Sequence, residues 1–234
     1  MQASVKTGGM SVTDGEIYIT RLSAWALGIK GDAQWKEWAS GSLEMLHGSQ
    51  APEIAFTDPM LRRRLSQITK MTIQVVSDLQ PLGDDTKMIF VSFRGELARQ
   101  YKINRMQIKD GALMPAGFSL SVFNTPPALA CIALGLKGGY SALYPGGNYL
   151  SAGLGAARAA LCSGSAEEII FVYADEELPP EYSCLLPSSP PPLAFGLLLG
   201  RKPGPVPLRP NEADDSPAGF LKSLILCKGM YVSP

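Results

Sequence analysis

The chain has 234 residues, 46% of them hydrophobic, and balances 21 Lys and Arg against 21 Asp and Glu for a formal net charge of zero. That balance excludes a general electrostatic pull toward nucleic acid or an anionic membrane surface, and the length and apolar content suffice for a substantial core. Four cysteines, at positions 131, 162, 184 and 227, form no CxxC pair and do not cluster with the single histidine, His47, which argues against a zinc site and a disulfide framework and suits a reducing cytoplasm.

In chain order, Ile17 to Leu22 alternates with period two and reads as a strand. Trp25, Trp35 and Trp38 surround a short helix that starts near Asp32, a suitable cap. A helix opens at Asp58 and runs to about Leu79: Leu61, Leu65, Ile68, Val75 and Leu79 recur at helical spacing and leave Arg62, Arg63 and Arg64 partly outside. Those arginines are the densest basic cluster. A solvated helix face is their plain reading, and a docking patch for an acidic partner their functional one. Met88 to Phe93 is a buried strand by composition, Gly95 to Met106 a surface helix, and Ser119 to Phe123 a strand. Thr125-Pro126 starts the next helix, with proline at the first position where a missing N–H costs nothing.

A strand from Tyr140 to Tyr144 follows, then a Pro145-Gly146-Gly147 turn, a helix of small residues from about Asn148 to Leu161, and a buried strand from Ile169 to Tyr173. Gly153 and Gly155 predict close approach of another backbone, since glycine weakens a helix interior by about 0.5–1 kcal/mol relative to alanine. Gly153-Leu154-Gly155 lies within the helix rather than in the turn before it, so it is not a dinucleotide fingerprint. Leu178 to Pro192 holds six prolines and reads as a surface loop. Leu193 to Leu199 is a returning strand, too short to span a bilayer. Lys202 to Pro217, with five prolines and three acidic residues, reads as a connector before a docking helix over Phe220 to Leu226.

Strands alternating with helices predict an α/β fold with a mainly parallel sheet and helices on both faces. The expected organisation is a flexible stretch over residues 1–9, with no visible signal peptide, one domain over 10–200, and a flexible connector with a C-terminal segment over 201–234.

The unit from Gly135 to Glu176 is a strand, an elbow, a helix and a strand, the arrangement that presents a nucleophile at a helix N-terminus. It resembles the nucleophile elbow of the β-ketoacyl synthases of the thiolase-like superfamily. Lys137-Gly138-Gly139-Tyr140-Ser141 is similar to that family's run before the elbow strand. Upstream, Ser121 to Ala128 followed by Ile132 to Gly138 resembles its segment of strand, Asn and helix, and Asp58 to Leu65 resembles its "MDPQQRL" region. The resemblance covers most of residues 50–176 and implies the thiolase-like N-terminal half.

Counting on from Gly139 puts Asn148 where the family's nucleophilic cysteine stands. A carboxamide nitrogen is neither acidic nor nucleophilic enough at neutral pH to replace a thiolate, and the plain reading of Asn148 is an N-cap. Family catalysis further needs two histidines, or a histidine and an asparagine, from a C-terminal half, whereas His47 is this chain's one histidine.

The resemblance therefore implies a chain length factor of the aryl polyene type. Such a subunit has no catalytic residue of its own and pairs as a heterodimer with an active ketosynthase in polyene, polyketide or fatty-acid-like biosynthesis. Tyr140, Ser141, Ala142, Leu143 and Tyr144 would then lie at the dimer interface. Phe118, Val122 and Phe123 would shape the acyl tunnel, each having an ordinary core role as its plain reading. Arg62, Arg63 and Arg64 would meet an acyl carrier protein, which carries the phosphopantetheine, so no cofactor of the chain's own is implied. Two alternatives stay open: an acyltransferase with an unorthodox nucleophile among Ser141, Ser151 and Cys162 served by His47, and a stand-alone acyl- or carrier-binding protein.

Overall fold

The computed structural model describes residues 16–111, 115–146, 150–182, 184, 189–208, 216–226 and 232. Its strands are the apolar runs of the sequence: β1 (Ile17–Ala26), β2 (Lys87–Val91), β3 (Tyr140–Leu143), β4 (Glu168–Asp175), β5 (Leu193–Gly200) and the short β6 (Val206–Leu208). They form one sheet in the order β3-β2-β4-β5-β1-β6. β2 pairs in parallel with β3 and β4, while β5 pairs antiparallel with both β4 and β1, and β6 antiparallel with β1.

The α/β class holds, but the sheet is mixed rather than mainly parallel. A parallel return from β4 would need a crossover, usually a helix, across one face. The connection over residues 176–192 is instead proline-rich, and its one described regular element is a single 3₁₀ turn, Pro180–Tyr182.

Helices cover both faces. On one lie α1 (Gly31–Ser40), α7 (Ser151–Cys162) and α8 (Pro217–Leu226), around a core that includes Trp35, Trp38, Leu154, Phe171, Phe195 and Phe220. On the other lie α3 (Gln67–Ser77) and α6 (Thr125–Leu134), packed around Ile68, Val75, Phe90, Ala130 and Val172. Trp35 and Trp38 meet edge to face at 5.4 Å, whereas Trp25 packs against the opposite cluster. Asp32 does not cap α1: Lys30 is the N-cap, and Asp32 pairs with Lys36 one turn on.

Three further expectations change. The helix expected from Asp58 to Leu79 is two, α2 (Pro59–Arg62) and α3, because Ser66 caps a new start by accepting from the Thr69 amide at 3.3 Å. Ser119 to Phe123 is not a strand: it follows the short α5 (Pro115–Phe118) as turns. There the amides of Ser119, Leu120 and Ser121 bond back to Pro115, Gly117 and Phe118, and the Ser121 hydroxyl also donates to the Phe118 carbonyl. Within the stretch expected to be a connector, β6 joins the sheet, while the docking helix expected over Phe220 to Leu226 is α8, which buries Phe220, Leu221, Leu224 and Ile225 against α1 and β5.

Gly138 explains the glycine pair before β3. Lys137 and Gly138 donate their amides to the Asp84 carbonyl, and a Cβ on Gly138 would collide with the backbone of Asp85 and Thr86. In α7, Gly153 lets the helix lie on the side chains of Val91 and Phe171 rather than on another backbone, and Gly155 faces open space.

Candidate functional site

Loops leaving the carboxyl ends of β2, β3 and β4 meet at one end of the sheet, the place where open α/β sheets hold their sites. β2 turns through Ser92, Phe93, Arg94 and Gly95 into α4 (Leu97–Asp110); β3 leads through Tyr144 and Pro145 to α7; β4 ends in Asp175, followed by Glu176 and Glu177.

Asp175 organises the β2 turn. Its carboxylate accepts from Ser92 Oγ at 2.6 Å, from the Phe93 and Arg94 amides at 3.1–3.2 Å, and from the Tyr173 hydroxyl at 2.9 Å. Burial pushes this carboxyl up from the ordinary range, while those donors and the Arg94 guanidinium pull it back. Tyr173 is pushed well up, first by burial and then by the neighbouring Asp175.

Next to it, two carboxylates meet the first turn of α3. Glu96 accepts from Ser66 Oγ at 2.5 Å and Thr69 Oγ1 at 2.7 Å, and Arg99 Nε donates to it at 3.2 Å. Burial raises Glu96 against those three. Glu176, 7% exposed, has the Ile68 amide at 3.4 Å, and burial followed by repulsion from Glu96 pushes it up to about 8. Glu177 holds the loop beyond by accepting from the Gly48 amide and pairing with His47 Nδ1 at 2.9 Å.

Beside this polar cluster runs an apolar face. Phe123 stands between Phe90 of β2 and Tyr144, ring centroids 6.3 and 6.5 Å away. Tyr144, Phe118 and Ile132 are 66%, 64% and 70% exposed, and Val122 and Tyr140 are exposed too. The Tyr140 hydroxyl accepts from Asn124 Nδ2 at 2.9 Å. β3 is an edge strand, paired only with β2 among the described residues.

Phe123 thus meets Tyr144 at this edge, with exposed Phe118 and Val122 in the segment before it, while Ser141 lies exposed in β3, with Ala142 and Leu143 half-buried beside it. Asn148 lies outside the described residues. Ser151 and Cys162 sit at opposite ends of α7, and His47 pairs with Glu177. Arg63 and Arg64 are exposed near Phe56 and Met60, and Arg62 is half-buried with Nη1 3.4 Å from the Ile54 carbonyl. No metal-binding group of three or more His, Cys, Asp or Glu side chains occurs among the described residues, and no described helix is long and apolar enough to cross a membrane.

The buried acids Glu96, Asp175 and Glu176 were missed in the sequence. Their one signal is the Asp175-Glu176 pair directly ending an apolar strand, where a charge must be held by something.

Residues 35–218 match the family described as β-ketoacyl synthase, N-terminal domain. No curated protein matches the chain. Among solved structures, a chain from the complex of a ketosynthase (ApeO) with its chain length factor (ApeC) from Xenorhabdus doucetiae is 23% identical, with a TM-score of 0.65 and 79% of each chain covered. The ishigamide ketosynthase/chain length factor is similar at 13% identity and TM-score 0.63, over 86% of this chain and 64% of that one. AntDE:AntF, a type II polyketide synthase acyl-carrier protein in complex with its ketosynthase, is similar at 14% identity and TM-score 0.60, over 81% of this chain and 64% of that one. The chain therefore spans less than two thirds of the length of the latter two, and these likenesses concern the thiolase-like fold. With most of its length inside the family match, the chain belongs to the β-ketoacyl synthase N-terminal domain family.

Proposed function

We propose that this chain is a chain length factor: a non-catalytic subunit that pairs with an active β-ketoacyl synthase and shapes the tunnel for a growing acyl chain. The observation that carries this reading is the edge of β3, paired only with β2 among the described residues, together with exposed Tyr140 and Tyr144 and the exposed Phe118 and Val122 of the segment that places Phe123 against Tyr144. An exposed edge strand is a template for pairing with another chain, and an apolar rim favours a lasting partner over solvent. Tyr140 to Tyr144 would form the interface with the ketosynthase. Phe118, Val122 and Phe123, next to it, would line the tunnel and set how far the acyl chain extends. Arg63 and Arg64 would attract an acidic acyl carrier protein, whose phosphopantetheine arm delivers the chain to the partner's cysteine. Asn148, at the family's nucleophile position, supports assigning the thioester chemistry to the partner. The product class favoured is a polyene or related polyketide.

The test is co-expression with the ketosynthase encoded nearest to it, followed by sizing and an elongation assay on carrier protein. A one-to-one complex whose product length changes in Phe118→Ala or Phe123→Ala supports the reading. Turnover by this chain alone, or a well-behaved monomer that binds acyl carrier without a ketosynthase, contradicts it.

A further inference from the structure

Glu96 and Glu176 are held by the same helical turn but are not equally satisfied. Both oxygens of Glu96 have partners, Oε1 in Ser66 and Thr69 and Oε2 in Arg99. Glu176 places Oε2 at the Ile68 amide, whereas its Oε1 is sealed from solvent with no hydrogen-bond partner among the described residues. An unpartnered carboxylate oxygen is costly to bury in charged form, and a second anion beside it raises that cost.

The pair also stands at a mechanical junction. Glu96 is the N-cap residue of α4, a helix of 14 residues in which no residue is buried. The other described ties of α4 to the body are peripheral: Arg99 Nη2 to the Arg64 carbonyl at 2.8 Å, the Tyr101 and Tyr182 rings at 5.6 Å, the Tyr101 hydroxyl to Glu181, and the exposed Arg105–Glu181 pair at 3.2 Å. α4 carries exposed Met106 and Ile108, and through α5 it leads to Phe118.

We propose that Glu96 and Glu176 form a one-charge latch, in which a proton retained on the pair keeps the start of α4 fastened to α3, and loss of that proton loosens α4 from the body. The charged groups around Glu176 are Glu96 and Arg99 from α4 and Asp175 from β4. Arg94, from the turn after β2, donates to the Glu176 carbonyl and to Ser189 Oγ, and α3 presents Ser66, Thr69 and the Ile68 amide. His47 and Glu177 pair on the far side. Because burial and Glu96 lift Glu176 to about 8, the proton is held at neutral pH and leaves in mildly alkaline solution. The latch belongs to the chain by itself and does not depend on the partner reading.

The experiment is amide hydrogen exchange of the full chain from pH 7 to pH 9, corrected for intrinsic rates, in the wild type, Glu176→Gln and Glu96→Gln. The wild type is expected to lose protection over Leu97–Asp110 by about tenfold or more across that range, while either neutral variant that folds keeps the pH-7 level. Wild type and variants losing protection in parallel, or a wild type whose α4 protection does not change, would overturn the proposal.

Discussion

Phe123 stands directly over Gly95: a Cβ on that glycine would come within 2.6 Å of the Phe123 ring, and the Gly95 backbone has a φ of +55°. The turn after β2 and the aromatic line from Phe90 to Tyr144 are thereby one packed unit. Gly95→Ala is expected to strain the backbone and displace the ring, lowering stability by about 1–3 kcal/mol in a denaturant melt. Phe123→Leu combined with Gly95→Ala is expected to recover part of that loss, because the smaller side chain can yield to the new methyl.

Gly138 and Gly155 make an opposed pair. Gly138→Ala puts a methyl against the rigid backbone of Asp85 and Thr86 and is expected to cost about 2 kcal/mol or more. Gly155→Ala, in open space on α7, is expected to stabilise by about 0.5–1 kcal/mol through helix propensity. Thermal melts of the two variants against wild type check both signs.

Asp78 closes the C-terminal end of α3, half-buried, and accepts from Gln74 Nε2 at 2.7 Å. Burial pushes its carboxyl up to about 6, with the Gln74 bond opposing. The native state therefore binds more protons than the unfolded chain between its two pKa values, so this contribution is present below about pH 4 and is lost as pH rises through about 6. Asp78→Asn is expected to be more stable than wild type at pH 7 by about 1 kcal/mol, a value discounted for partial exposure, and the gap should close toward pH 4.

His47→Ala removes an exposed ion pair with Glu177, which such pairs make worth about 0–1 kcal/mol. In a complex with an active ketosynthase, elongation on carrier protein is expected to stay within about twofold of wild type, because His47 holds a loop through its exposed pair with Glu177. A loss of activity larger than the stability change would point to the unorthodox-nucleophile alternative.

Much of the fold is legible in the sequence because it rests on local patterns. The runs that became β2, β4 and β5 are apolar throughout, and Pro126 marks the start of α6. The break at Ser66 was hidden because Leu61, Leu65 and Ile68 continue a helical period across it, while the capping hydroxyl acts only on the next turn. The alternation of Ser119 to Phe123 suggested a strand, but a strand needs a neighbour, and β2 takes β3 and β4 instead. At the candidate site, Phe118, Val122, Tyr140 and Tyr144 could be named from family resemblance, though Ile132 is not among them. The acid cluster could not, since Ser66, Glu96 and Glu176 come from three separated segments that only the folded chain brings together.

The edge of β3 is the centre of the account, and amide exchange over Tyr140–Tyr144 measures it directly, in the chain alone and in a complex co-purified with a ketosynthase. The account predicts that these amides slow by about tenfold or more in the complex, as an open edge becomes a paired one. A complex in which they exchange at the same rate as in the free chain would contradict it.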